Sequence, residues 1–364
     1  MSLILTGFGT SVPEHSIAQA DAAEIGTRFA ALDPKRARTV RAIYRKAGVH
    51  KRHSVLLESA EGAPMDRLSF YEDADGPDDA GPSTEQRMRR YEAEAPKLAE
   101  AAARGALQDA ALAPKEITHI VTVSCTGFFS PGLDAVLIEQ LGLSPGVARS
   151  HVGFMGCHGA LNGLRVASSF VGANPNARVL LAAVELCTLH FAYGRDPQLM
   201  VANALFSDGA AAVVGVSHES SDAGAWRVLA TGSLLMPDSA DAMSWRIGDH
   251  GFRMTLSATV PNLIAAHLCE WLEQWLGQHG LGVGDVASWA MHPGGPRLLS
   301  AVSDAVELTR DAMEVSREVL AEYGNMSSAT VLFILDRLRQ RDAPRPCVAL
   351  AFGPGLVVEA VLFG

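Results

Sequence analysis

In His151-Val152-Gly153-Phe154-Met155-Gly156-Cys157-His158-Gly159-Ala160-Leu161-Asn162-Gly163, a single cysteine stands among glycines just ahead of an Ala/Leu/Val run. From Ala160 to Val171, the residues Leu161, Leu164, Val166, Ala167 and Phe170 suit a buried helix, so Cys157 falls where that helix begins. Unpaired backbone N–H groups and the dipole at such a point favour a thiolate, the form of cysteine that attacks carbonyls. Gly153, Gly156 and Gly159 allow the tight turn and close approach that a buried nucleophile needs. A cysteine seen alone is more simply a small core residue. Two later segments change that reading. In Trp289-Ala290-Met291-His292-Pro293-Gly294-Gly295-Pro296 an apolar strand runs out at a histidine, at the strand end where α/β proteins place ligands. In Tyr323-Gly324-Asn325-Met326-Ser327-Ser328-Ala329-Thr330 a turn feeds another helix, with an asparagine that either caps it or donates a hydrogen bond. Together the three supply a thiolate, a histidine to pair with it as an ion pair, and two donors for a developing oxyanion. That set suits acyl transfer with carbon–carbon bond formation.

The elements that must position these residues alternate. An apolar strand at Leu3-Ile4-Leu5 precedes a helix from Ser16 to Ala31, and Ser83 or Thr84 opens a long helix through about Leu112. Strands follow at 119–124, 179–184 and 208–216, with helices from Leu133 and after Cys157. Beyond a polar stretch at 217–224 the scheme recurs: strand 226–230, helix 260–278, strand 287–291, helices 317–322 and 328–341, strand 348–351. The strands are apolar throughout rather than alternating, which implies sheets covered on both faces. Two similar halves, 1–220 carrying the cysteine and 221–364 carrying the histidine and asparagine, are expected to share one core. Between Lys35 and His53 lies a basic cluster that includes Arg38, Arg41, Arg45, Lys46 and Arg52. It is either a solvated face or a site for a phosphorylated ligand. The acidic segment 58–82 has little to bury and is expected on the surface.

The 364 residues, 48% hydrophobic with 34 glycines, can bury a large core. A formal charge of −10 argues against a nucleic-acid surface. No stretch offers eighteen consecutive apolar residues and the start lacks a signal-peptide pattern, so a cytoplasmic protein without a membrane span is expected. Five scattered cysteines with no CxxC pair imply reduced thiols, with neither a disulfide framework nor a metal site.

Phe154-Met155-Gly156-Cys157, Ala204-Leu205-Phe206-Ser207-Asp208-Gly209-Ala210-Ala211-Ala212, His292-Pro293-Gly294-Gly295-Pro296, Tyr323-Gly324-Asn325-Met326-Ser327-Ser328 and Phe352-Gly353-Pro354-Gly355-Leu356 resemble signature segments of one family. That family is the type III polyketide synthases of the chalcone synthase-like kind, here of bacterial type. The resemblance implies an α/β, thiolase-like five-layer αβαβα fold built from two related halves and working as a homodimer. It implies that Cys157 takes an acyl-CoA starter, and that His292 and Asn325 hold malonyl-CoA as it loses CO2. Iterative condensation then ends in a cyclised resorcinol, pyrone or phloroglucinol-type product. The reactants are CoA thioesters, and no cofactor or metal is implied.

Carried over by motif, Phe206 and Met254 take gatekeeping positions, Met254 standing where the family has a second phenylalanine. Cys125, Thr126, Cys187, His190, Trp245 and Ser327 take cavity-lining positions, with Trp245 where plant enzymes have glycine. Lys46 and Arg297 are implied as CoA-binding; two further basic positions of the family read Thr39 and Ala42. Ser130 replaces a methionine that reaches the partner's cavity in plant enzymes. The competing readings are a β-ketoacyl synthase that uses a carrier protein, a Cys-His-Asn hydrolase, and an inactive scaffold.

Overall fold

The structure, a computed structural model, describes residues 2–30, 34–76, 78–218 and 225–364. The expected boundary at 220 and 221 lies outside the described residues, as does Ala31 at the end of the expected first helix. Among the described residues the strands are β1 (Ser2–Ser11), β2 (Ser16–Ala18), β3 (Lys51–His53), β4 (His119–Ser124), β5 (Ala148–Gly153), β6 (Arg178–Leu186), β7 (Asp208–His218), β8 (Trp226–Leu235), β9 (Met243–Gly248), β10 (Gly251–Leu256), β11 (Ser288–Met291), β12 (Cys347–Gly353) and β13 (Val357–Phe363). The α-helices are α1 (Gln19–Phe29), α2 (Pro34–Lys46), α3 (Thr84–Asp109), α4 (Leu133–Leu141), α5 (Gly159–Ala173), α6 (Pro197–Leu205), α7 (Val260–Gly277), α8 (Pro296–Ala305), α9 (Glu314–Tyr323) and α10 (Thr330–Gln340).

Nine strands hydrogen-bond in the order β11-β12-β13-β8-β1-β7-β6-β4-β5. The ladder is thin in the middle, where β1 meets β8 only at Ile4↔Arg227 and Leu5↔Trp226. Alternate residues of each strand enter different cores. On β6, Leu180, Ala182, Val184 and Leu186 pack with α3 and α4, whereas Val179, Leu181 and Ala183 pack with Leu161 and Leu164 of α5 and Val331 and Ile334 of α10. On β12, Cys347, Ala349 and Ala351 join that same middle core, and Val348, Leu350 and Phe352 face α7 and α8. The layers therefore run helix, sheet, helix pair, sheet, helix, with α5 and α10 enclosed between strands. Burial of both strand faces is why the strands show no polar alternation in sequence.

The long helix α3 starts as expected, with Ser83 and Gln86 forming a reciprocal capping box. The acidic segment 58–82 lies mostly at the surface as expected, with Arg67 and Tyr71 its buried residues among those described. Tyr71 returns to the core, with its hydroxyl donating to the Thr188 carbonyl at 3.0 Å and accepting from Arg87 Nη1 at 2.7 Å. Arg67 anchors the same loop from its other side, donating to the Ser16 carbonyl at 2.7 Å and the Ser59 carbonyl at 2.9 Å. Helix α6 and the hairpin β9–β10, unforeseen in the sequence, supply walls of the site. No helix among the described residues is long and apolar enough to cross a membrane.

Candidate active site

Cys157 sits in a short 3-10 turn, Gly156–His158, that runs into the N-terminus of α5. Gly156 has φ +75, and a Cβ there would stand 2.4 Å from Pro354 Cδ, so only glycine brings the 353–355 loop this close to the nucleophile. His292 follows the end of β11, its amide donating to the Leu350 carbonyl at 2.8 Å. Asn325 lies between α9 and α10, and its backbone pairs with the chain on either side of Phe206. These three residues, far apart in sequence, line one cavity together with Phe206 and Met254.

Two cavities meet at the nucleophile. The one on the His292 side, termed here the outer cavity, is about 470 Å³ and is lined by His292 and Asn325, with Gly294, Leu298 and Phe352. The inner one, about 600 Å³ on the same measure, is lined by Cys125, Thr126, Cys187, His190, Trp245 and Ser327. Cys157, Ala202, Phe206, Met243 and Met254 belong to both walls. The motif-derived cavity positions thus converge on one space, with Phe206 and Met254 at its waist.

The polar groups are tightly placed. Ser327 has φ +46, an unusual backbone conformation for a residue with a side chain. It holds its Oγ 3.1 Å from Cys125 Sγ and 3.5 Å from Cys157 Sγ. Its N–H donates to Asn325 Oδ1 at 2.8 Å. The amide oxygen of Asn325 is thereby occupied, which leaves its NH2 group as the donor offered to the cavity.

His190 accepts from the Phe252 N–H at Nδ1, 3.0 Å away, and so donates from Nε2 to the Thr126 carbonyl at 2.7 Å. Burial pushes it down to about 3, so it is a neutral wall residue stacked 4.2 Å from the Phe252 ring. Trp245 donates its indole N–H to the Cys125 carbonyl at 2.7 Å, locking the indole across the inner cavity.

Burial works against the ion pair expected between Cys157 and His292. Burial pushes the Cys157 thiol up to about 12, against hydrogen bonds from Ser327 and Asn325 that favour its ionised form. Burial pushes His292 down to about 3, with His158 adding to the effect, and neither ring nitrogen meets a hydrogen-bond partner among the described residues. Desolvation penalises both ions more than the helix end and nearby donors reward them. Burial thus favours the neutral thiol and the neutral imidazole at this site.

Glu185 is the residue that sequence reasoning missed. It is fully buried at the end of β6, and its carboxylate accepts from the Cys125 N–H at 3.0 Å, from Thr126 Oγ1 at 2.7 Å and from Ser328 Oγ. Burial raises its pKa, and these donors pull it back. One acid thus fixes the backbone behind the inner cavity. Its only sequence signal is a charge inside the apolar run Val179–Leu186.

Lys46 and Arg297 are exposed and line neither cavity. Their elements do abut: a Cβ on Gly48, just past α2, would stand 2.9 Å from Pro296 Cγ at the start of α8. Leu298 of the same α8 turn lines the outer cavity, so both cations belong to the elements that frame it. Of the basic cluster, Arg52 is an exception: it is only 1% exposed.

A layered α/β fold with a helix-start cysteine, a strand-end histidine and a turn asparagine around a mainly apolar passage defines a carbon–carbon condensing enzyme of thiolase-like architecture. Family comparison makes this specific. Residues 2–218 match the chalcone and stilbene synthase N-terminal domain, and residues 228–364 match the C-terminal domain. The chain belongs to this family and is a type III polyketide synthase, an acyltransferase-type condensing enzyme.

It is 37% identical over 359 residues to a 1,3,6,8-tetrahydroxynaphthalene synthase of Streptomyces peucetius subsp. caesius, covering 97% of this chain and 90% of that protein. It is 30% identical over 370 residues to an alpha-pyrone synthesis polyketide synthase-like protein of Mycobacterium tuberculosis, covering 99% and 90%. Among solved structures, PKS-I of the brown alga Ectocarpus siliculosus superposes with a TM-score of 0.92 at 30% identity, covering 100% of this chain and 98% of that one. The C-terminal type III polyketide synthase domain of Steely1 from Dictyostelium gives 0.88 at 27% identity, covering 100% and 99%.

Proposed function

We propose that Cys157 is the nucleophile and acyl carrier, and that His292 and Asn325 are the donors that stabilise the enolate. The Cys157 sulfur attacks the carbonyl of an acyl-CoA starter; the CoA thiolate leaves, takes up the proton and departs as CoA-SH. Malonyl-CoA then enters the outer cavity and loses CO2, so that the C–C electron pair moves onto the thioester oxygen as an enolate. That oxygen accepts hydrogen bonds from the His292 ring and the Asn325 NH2, which are worth most where charge develops in a dry site. The enolate carbon attacks the acyl-Cys157 carbonyl, a C–C bond forms, the acyl C–S bond breaks, and the Cys157 thiolate takes up a proton from solvent to restore the thiol. Every step is redox-neutral, so CoA thioesters suffice and no cofactor is required. A neutral histidine is well suited to donate to an oxyanion without fixing a charge in the resting site.

The observation that carries this reading is the shared outer cavity of Cys157, His292 and Asn325, with both ring nitrogens of His292 without a hydrogen-bond partner among the described residues. Phe206 and Met254 form the waist through which the chain grows into the inner cavity, and Ser327 with the residues beyond it shapes the folding of that chain. Ring closure gives a product of resorcinol, pyrone or phloroglucinol type. Lys46 and Arg297 hold the phosphates of CoA. The chain is divided near residue 220 into two halves, the first carrying Cys157.

The enzyme acts as a homodimer in the cytoplasm. Support for the second copy comes from the outer strand β5, whose residues are largely exposed, and from Phe128, Phe154 and Met155 at 57%, 37% and 40% exposure beside it. An open edge strand with adjoining apolar side chains is covered in stable proteins.

The test is incubation with labelled malonyl-CoA and a panel of acyl-CoA starters, comparing the native enzyme with Asn325→Ala and His292→Ala. CO2 release should fall about 100-fold or more in each variant, the usual cost of losing an oxyanion donor. Unchanged release would overturn both roles.

A further inference from the structure

Arg52 belongs by sequence to the basic cluster, yet its guanidinium lies inside the protein, away from any phosphate of the solvent-facing kind. No carboxylate ion pair holds it among the described residues. Its fork is instead spent on the far end of α6. Nη1 donates to the Asn203 carbonyl at 2.5 Å and to the Phe206 carbonyl at 3.0 Å, and Nη2 donates to the Ala204 carbonyl at 2.9 Å and to Gln19 Oε1. The Gln19 amide in turn donates to the same Ala204 carbonyl at 2.9 Å and to the Tyr44 carbonyl at 3.1 Å. The Tyr44 ring lies 5.3 Å from the guanidinium carbon.

The last carbonyls of a helix carry partial negative charge and lack partners within the helix. A planar cation that reaches several of them at once ties down the point where the helix stops. Here that point is Phe206, the ring shared by both cavities, and the chain on either side of it hydrogen-bonds the backbone of Asn325.

We propose that Arg52 is a positioning residue for the waist of the active site: its forked donors fix the carbonyl of Phe206 and thereby the ring that separates the outer cavity from the inner one. This rests on the site reading above. Charge alone does not account for the arrangement, because several carbonyls at different angles need a fork rather than a point.

The experiment compares Arg52→Lys and Arg52→Met with the native enzyme, first for melting temperature. It then reads the ratio of CO2 released to product formed, the KM for the starter, and the rate at which a bulky maleimide modifies Cys157. Loosening of Phe206 should raise the CO2-to-product ratio and the starter KM by about threefold or more, changes in coupling and binding rather than in the amount of active enzyme. It should also change the maleimide rate, which reads the waist without any catalytic turnover. Lys keeps the charge but loses the fork, so it should share these changes while folding normally, and it decides the matter should the Met variant fail to fold. If the Lys variant keeps the native ratio, KM and maleimide rate, losing only overall rate in proportion to stability, Arg52 is a structural residue and the proposal fails.

Discussion

Phe206 and Asn325 face each other across a single parallel bridge, in which the Ser207 N–H donates to the Asn325 carbonyl and the Asn325 N–H donates to the Leu205 carbonyl, each at 2.9 Å. One short piece of backbone pairing therefore places both the ring at the waist and the amide that lines the cavity beside Cys157. Glycine makes the pairing possible. Gly324 has φ +75, and a Cβ there would stand 2.9 Å from Ser207 Oγ and 3.1 Å from the Leu205 carbonyl oxygen. Gly324→Ala should pull the bridge apart and lower malonyl-CoA decarboxylation about tenfold or more, since a positive φ with ψ −170 is essentially a glycine conformation and costs ~1–3 kcal/mol with a side chain present. Radiometric CO2 release measures it, and a native rate would show that the bridge does not govern Asn325.

Burial of Cys157 and His292 has a signature in pH. With the Cys157 thiol held near 12 and His292 near 3, the thiolate fraction should rise about tenfold for each pH unit through the neutral and mildly alkaline range. Alkylation of Cys157 by iodoacetamide in the absence of substrate should climb along that slope without levelling. A plateau beginning below neutral pH would show instead a thiolate paired with a protonated His292.

Trp245 sets the far wall of the inner cavity, its indole held to the Cys125 carbonyl and meeting the His190 and Phe252 rings edge-on. Trp245→Ala should enlarge that space and shift the product mixture toward longer chains from the same starter. Mass analysis of the products checks this, and an unchanged chain length would place the length limit elsewhere.

Exposed cations steer and hold phosphates weakly and in a salt-dependent way. Lys46→Ala and Arg297→Ala should each raise the KM for CoA thioesters by a few-fold, with kcat unchanged and the effect shrinking at high salt, as suits exposed charges worth ~0.2–1 kcal/mol each. Steady-state kinetics at two ionic strengths decide it; a fall in kcat at constant KM would contradict a binding role.

Much of this site was legible because its signals are local. Glycines around Cys157, the strand that stops at His292 and the turn before α10 each mark a backbone that brings one side chain to a cavity. Elements whose apolar pattern is weak were harder to see. β5 is an outer strand with mostly exposed residues such as Arg149 and His151, and β9 and β10 pair mainly with each other, so neither shows a buried run. Arg52 and Glu185 were read by type, as surface charge or not at all. Their burial depends on carbonyls and hydroxyls brought from distant parts of the chain, which a linear pattern does not contain. The electrostatics of Cys157 divide in the same way: the helix start that favours its thiolate is visible in sequence, whereas the desolvation that opposes it comes from the tertiary fold.

The central claim is that Cys157 alone carries the acyl chain, although Cys125 and Cys187 line the same inner cavity. Peptide mass spectrometry after brief incubation with an acyl-CoA starter tests it directly. The account predicts a thioester adduct on the Cys157 peptide that disappears in Cys157→Ala, together with all product. An adduct on Cys125 or Cys187 in place of Cys157, or product formation by Cys157→Ala, would contradict it.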